Sequence, residues 1–166
     1  MTYIGLIADT HNFLDEQVFT YFDGCDEIWH VGDFGTLEVA NRLSKIAPII
    51  GVYGNVDGDD VRRIYPLHQR FSREGVDVWM THIGGTPGRY ALPIRKEMDT
   101  NPPDLFICGH SHILKIVRDP HNSEMIFMNP GAAGKQGFHV YRTIVRFYLD
   151  GGKIRNCEVI NLSKQQ

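Results

Sequence analysis

Seven side chains able to hold a metal ion punctuate this sequence, each at the same kind of place. They are Asp9 and His11, Asp33, Asn55, His82, and His110 and His112, and each follows a short apolar run and a small residue. The fullest example is Leu105-Phe106-Ile107-Cys108-Gly109-His110-Ser111-His112. Extended side chains alternate in direction, so in a turn the imidazoles at i and i+2 address two neighbouring points. Imidazole is a common metal ligand and costly to bury alone. Asp9-Thr10-His11 repeats the spacing with a carboxylate in first place. Taken singly each has a plainer use, His-x-His as a surface turn and Asp33 or Asn55 as a helix cap. Recurrence at five strand exits makes coincidence the weaker explanation. Two carboxylates, four imidazoles and an amide exceed what one ion takes but suit two ions sharing a carboxylate. Such ions, about 3.5–4 Å apart, acidify a bound water and clamp the attacking and leaving oxygens of a phosphoryl group. Their residual positive charge would attract phosphate locally in a chain of formal charge −3. Mixed nitrogen and oxygen ligands suit manganese, iron, zinc or nickel better than magnesium or calcium.

The elements that must position these side chains alternate between strand and helix in the first half. Residues 3–8, Glu27–Val31, Ala47–Tyr53, Val76–Met80 and Leu105–Cys108 read as apolar strands. Phe13–Phe22 reads as a helix, with Leu14, Val18 and Tyr21 at helical spacing. Leu37, Ala40 and Leu43 mark a second helix that Thr36 would cap. Tyr90–Met98 reads as a third, behind a glycine-rich stretch, Gly84–Gly88, expected as a mobile rim over the site. Ligands of α/β sheets bind beyond the carboxyl ends of the strands, so the seven side chains are expected to converge. After His112 the strands Leu114–Val117, Met125–Met128, Thr143–Leu149 and Lys153–Ile160 follow without helices, with a hairpin turn at Asp150-Gly151-Gly152. Together these predict one domain over residues 1–166, with a second sheet packed on a mixed sheet and helices outside.

Composition narrows the function classes. Apolar residues make up 42% of the chain, yet no run approaches a membrane span. The first eight residues meet Asp9 too soon for a secretory leader and lack a basic start. Cys25, Cys108 and Cys157 are odd in number with no Cys-x-x-Cys, which reads as reduced thiols in a cytoplasmic protein. The charge balance excludes an extended nucleic-acid surface. Gly131-Ala-Ala-Gly134-Lys135 lacks the P-loop spacing, and Gly84–Gly88 lacks the dinucleotide one. Arg89 reads as a solvated arginine or a phosphate contact, and His30 as a buried strand residue. His68 reads as unrelated to the site, and His121 and His139 as surface residues of loops. Oligomeric state is left open.

Asp-x-His at 9–11, Gly-Asp at 32–33, Gly-Asn at 54–55, His82 and Gly-His-x-His at 109–112 occur in the order seen in calcineurin-like metallophosphoesterases. With its short length and its Asn129-Pro130-Gly131 turn, the chain resembles the small bacterial and archaeal phosphodiesterases of that superfamily. The resemblance implies an α/β fold, a four-layer αββα sandwich of two mixed sheets flanked by helices. It also implies hydrolysis of a small phosphodiester by a hydroxide bridging two divalent metals, with manganese first among the candidate ions. Carried over by position, Asp9, His11, Asp33 and His112 would bind one ion with Asp33 bridging, and Asn55, His82 and His110 would complete the other. The same seven would form the catalytic set. Three positions depart from the pattern. Val56 stands where larger members have a proton-donating histidine, Ile83-Gly84 where many have Gly-His, and Ala132 where serine usually follows Asn-Pro-Gly. These bear on the acid step and substrate class. The alternative is a non-catalytic scaffold with a relict metal site, as in the retromer subunit that resembles this fold. Relict sites usually lose histidine ligands, and this sequence retains each one expected.

Overall fold

The computed structural model describes residues 1–163, the Ser123 side chain excepted. In chain order the first elements are β1 (Thr2–Ile7), α1 (Gln17–Tyr21), β2 (Glu27–His30), α2 (Leu37–Leu43), β3 (Ile49–Gly51) and α3 (Asp59–Ile64). There follow β4 (His68–Arg73), β5 (Val76–Thr81), the short pair β6 (Gly85–Thr86) and β7 (Arg89–Tyr90), α4 (Leu92–Thr100) and β8 (Leu105–Ile107). The last four are β9 (Lys115–Asp119), β10 (Asn122–Asn129), β11 (Thr143–Asp150) and β12 (Lys153–Asn161).

The strands form two five-stranded mixed sheets, ordered β12-β11-β1-β2-β3 and β4-β5-β8-β10-β9. In the first, β1, β2 and β3 run parallel; in the second, β5, β8 and β10 do. Apolar residues alternate between the two faces of each strand with period two. Ile4, Leu6 and Trp29 point to the shared interior, where they meet Val78, Met80, Leu105, Ile107 and Phe147. Ile7 and Ile28 point outward beneath α1, α2 and α3, against Val18, Val39, Leu43 and Val61. On the far side, Ile94 and Met98 of α4 cover Trp79, Phe106 and Phe127. The result is the four-layer αββα sandwich. Register puts the strand exits at one level. Ile7 pairs with His30 and His30 with Gly51, while Met80 pairs with Ile107 and Ile107 with Met128.

Several local expectations are corrected. The first helix covers Gln17–Tyr21 rather than Phe13–Phe22. The amides of His11 and Asn12 are claimed instead by Asp33 O and Phe34 O, at 3.0 and 2.8 Å, and the chain turns on a Phe13 N–H bond to Thr10 O. Thr36 sits at the N-cap of α2, but its hydroxyl donates to Asn12 Oδ1 at 2.5 Å. α4 begins at Leu92 because Tyr90 pairs with Gly85 across the β6–β7 hairpin. Gly84–Gly88 is therefore part of a hydrogen-bonded ribbon rather than a loose rim. The strand after Ala47 shrinks to Ile49–Gly51. Neither α3 nor β4 was expected, since α3 buries only Val61 and β4 is an edge strand of mostly polar residues.

Candidate metal centre

The loops after β1 and β2 are zipped together by backbone bonds, with Asp9 N–H donating to Gly32 O and His11 N–H to Asp33 O, each at 3.0 Å. The loop after β8 is locked by Asn129, which ends β10. Its Nδ2 donates to Gly109 O and Ser111 Oγ at 3.1 Å, and its Oδ1 accepts from Gly131 N–H at 3.0 Å. Within these loops Asp9, His11, Asp33, His110 and His112 all carry positive φ, between 44° and 70°. Each such non-glycine residue costs on the order of 1–3 kcal/mol, and such residues cluster at functional sites. Here the strain is held by the loop-to-loop hydrogen bonds.

All seven expected side chains come together at this edge. Asp9, Asp33 and His82 are buried, His11 and His112 half-buried, and Asn55 and His110 exposed. Each carboxylate is fixed by one oxygen. His110 N–H donates to Asp9 Oδ2 at 3.1 Å, and Val56 N–H donates to Asp33 Oδ1 at 3.0 Å. The other oxygens face the centre. Asp9 Oδ1 lies 3.4, 3.7 and 3.8 Å from Nε2 of His112, His82 and His11. Asp33 Oδ2 lies 3.1 Å from His82 Nε2 and 3.5 Å from His11 Nε2. Asn55 Oδ1 is 3.1 Å from His110 Nδ1.

The fit to metal ions follows from what these atoms do not do. Asp9 Oδ1, His11 Nε2 and His82 Nε2 are buried with no aligned hydrogen bond, although His82 Nε2 is close enough to Asp33 for one. Atoms crowded together without pointing at each other point at a common centre. Bonds of about 2.1 Å to one ion place its ligands roughly 3–3.5 Å apart. The donors sort into two groups, Asp9 with His11 and His112, and Asp33 with His82 and His110, with the atoms of each within 4.8 Å of one another. His82 donates Nδ1–H to Val31 O at 2.7 Å, which leaves its Nε2 lone pair facing the group.

Electrostatics match a cation site. Burial opposes ionisation of Asp33, but the close His82 ring and the Val56 amide outweigh it and lower the carboxyl pKa. Burial likewise opposes protonation of His82, yet contact with Asp33 and the charge of Asp9 raise its pKa. Contact with Asp9 raises His112, whereas burial and then His82 lower His110. His82 and His112 thus favour a proton beside the two carboxylates, the place a cation would take.

Three supporting residues were missed as part of the site. Asp57 is 2% exposed and ties the loop after β3 to the loop after β2. Its Oδ2 accepts from Gly54 N–H at 2.8 Å and Phe34 N–H at 3.3 Å, and its Oδ1 from Gly35 N–H at 3.0 Å. The signal was a second carboxylate just after Gly-Asn. His30 is buried as expected, and it also braces Asp33 from both sides. Its Nδ1 accepts from Gly32 N–H at 3.1 Å, and its Nε2–H donates to Thr10 Oγ1 at 3.1 Å. That hydroxyl donates to Phe34 O at 2.9 Å. Asn129 is the third. Two histidines are corrected. His139 is half-buried, not a surface residue, with its ring 5.0 Å edge-on from His112 and its Nε2–H donated to Gly134 O at 2.7 Å. His68, expected to be unrelated, lines the same hollow as Asn55 and His82. His121 and Arg89 are exposed, as read.

A comparison of the sequence with family models matches residues 2–152 to the calcineurin-like phosphoesterase superfamily domain. The chain belongs to that superfamily. A probable metallophosphoesterase of Methanothermobacter thermautotrophicus is 29% identical over 138 residues, covering 78% of this chain and 76% of the relative. Among solved structures, an archaeal phosphodiesterase superposes with a TM-score of 0.76 at 21% identity, covering 96% of this chain and 99% of that one. Vps29 of Chaetomium thermophilum gives 0.75 at 16% identity, covering 98% and 97%. At these identities the two structures speak for the fold alone. The superfamily uses divalent metals, and this metallophosphoesterase carries two His/Asp groups able to hold them.

Proposed function

We propose that this metallophosphoesterase is a dinuclear phosphodiesterase. Asp9, His11, Asp33 and His112 hold one ion, and Asn55, His82 and His110 hold the other together with Asp33. The observation that carries it is Asp33 Oδ2, 3.5 Å from a histidine of one group and 3.1 Å from a histidine of the other. Asp9 Oδ1 lies farther from His82, at 3.7 Å, so the bridge is assigned to Asp33. Two divalent ions bound there would acidify a shared water and offset charge on the phosphoryl oxygens. Mixed nitrogen and oxygen donors suit manganese, iron, zinc or nickel alike, and manganese is put first on the family resemblance.

The chain's own part is to orient. Asp9 and Asp33 keep one oxygen on a backbone amide, so neither carboxylate swings away from the centre. In hydrolysis a water oxygen joins phosphorus, the P–O bond to the leaving group breaks, and the leaving oxygen must gain a proton. Val56, beside Asn55, is exposed and has no proton to give. All seven candidate ligands lie together at this edge, which supports an enzyme over a scaffold with a relict site. Three free cysteines support a reducing, cytoplasmic setting.

Elemental analysis combined with a panel of phosphodiesters and phosphomonoesters tests this. Two ions per chain and diester turnover are expected. A protein holding two ions that cleaves no ester would refute it.

A further inference from the structure

Two apolar hollows flank the second ligand group. One, of about 420 Å³, lies against His110, Ile113 and Phe127 behind the β6–β7 hairpin. The other, of about 340 Å³, lies against Asn55, His82, Leu67 and Ile94. Ile83 and Ala91 line both, and so form the wall between them. Ile83 directly follows His82 and is 44% exposed. A third hollow, of about 420 Å³, opens beside His112 between Leu114, Val140 and Tyr141. Large exposed apolar side chains gathered round a polar centre mark a surface that meets an apolar ligand.

Charge around the centre is sparse. Among the described residues lining the three hollows there is no carboxylate, and the permanent cations are Arg62 and Lys115. Both are engaged. Arg62 donates to Asp57 O at 2.7 Å and lies over the Tyr53 ring at 4.5 Å, and Lys115 donates to Thr86 Oγ1 at 2.8 Å. A polyphosphate or a nucleic-acid strand is held by many cations at once. With its two ions bound, this site would offer positive charge at one point, between apolar walls.

We propose that the substrate is a phosphodiester monoanion with two uncharged, apolar arms, seated astride Ile83 with one arm in each of the hollows beside His82 and His110. This deepens the phosphodiesterase reading and rests on it. A monoester has one organic arm and fills one hollow. A diester fills both, and Ile83 sets how far apart its arms must lie. Ile83 is thus a specificity-determining residue.

Two stable monoanions test this by calorimetric titration of the metal-loaded protein. Diphenylphosphinate has two aryl arms, dimethylphosphinate two small ones, and neither has an ester bond to cleave. The diphenyl compound should bind at least tenfold more tightly. Ile83→Ala should keep wild-type ion content and lose at least threefold of that preference, and Ile83→Asp should abolish it. Equal binding of the two anions, or a preference unchanged in both variants, would overturn the assignment. Hydrolysis of bis(4-nitrophenyl) phosphate is measured alongside. Turnover without a phosphinate preference defeats the two-arm assignment alone, whereas no turnover of any ester defeats the phosphodiesterase reading and this inference with it.

Discussion

At His30 the imidazole is fully buried, and burial drives its pKa down to about 3. Its Nδ1 already accepts from the Gly32 amide, so a proton placed there would meet another N–H. In the unfolded chain a histidine titrates near ~6.5, so below that pH the unfolded state binds the extra proton. The stability His30 confers is therefore complete above about pH 6.5 and is lost as pH falls toward 3, by up to ~1.4 kcal/mol per pH unit. Urea denaturation of the metal-free protein should show this slope, and His30→Phe should remove it. Equal slopes for the two proteins between pH 4 and 6.5 would exclude the effect. Asp33→Asn should lose both ions and all turnover, while His112→Ala should mainly lose one ion. Elemental analysis that finds two tightly held ions in Asp33→Asn would defeat the bridging role. Val56 sets the third expectation at this scale. A positioned general acid contributes ~10²–10⁴-fold, so aryl diesters should far outpace alkyl diesters. A chemical step equally fast on both would reveal another acid.

Strand-exit loops bring the ligands within reach, and glycines set how closely they pass. A Cβ on Gly54 would fall 2.1 Å from Asp33 Oδ1, and one on Gly109 would fall 2.9 Å from Asp9 Oδ2. That is a physical reason for glycine before Asn55 and before His110, since each carboxylate packs where a side chain would begin. Gly54→Ala should therefore cost more ion binding than Gly109→Ala, with helix and strand content retained by circular dichroism. Asp57 joins the loops from the second and third strands through three backbone amides. Asp57→Ala leaves those donors unmatched, a cost of about 3 kcal/mol, and should loosen Asn55. A variant as stable as wild type with full ion content would show that the brace is dispensable.

Across the whole molecule the apolar clusters lie between the sheets and beneath the helices, apart from the ligand edge. Chelation should thus leave the fold standing. Ions that bind only the folded chain stabilise it by mass action, about 2.7 kcal/mol at one hundred times Kd. For a chain of this size each kcal/mol raises Tm by roughly 2–4 °C. Thermal unfolding should shift upward with added manganese in a concentration-dependent way, and a flat titration would mean that the folded chain does not bind the ion. Among the described residues no helix is long and apolar enough to cross a membrane. Burial pushes the thiols of Cys25 and Cys108 up to about 12, which suits packing rather than redox chemistry.

By itself the sequence placed seven side chains able to hold a metal, in order, at the strand exits. That placement depends on residue type, on apolar runs of strand length and on glycines one position away, all of which are local. It was silent on α3 and β4, whose polar surfaces carry no periodic signal, and it overextended the first helix past a turn that another loop imposes. Tertiary structure alone decided which carboxylate oxygen faces inward and which backbone amide holds the other. The bond from His110 N–H to Asp9 Oδ2 spans 101 positions, and the one from Val56 N–H to Asp33 Oδ1 spans 23. The same holds for Asp57 against Phe34, for His30 against Thr10 and for His139 against His112. The His110–Asp9 bond exists only once the two sheets have packed, and the Val56 and Asp57 bonds only once neighbouring strands of the first sheet have paired. The physical reason is that tertiary structure, not spacing along the chain, sets the distance between residues on different loops.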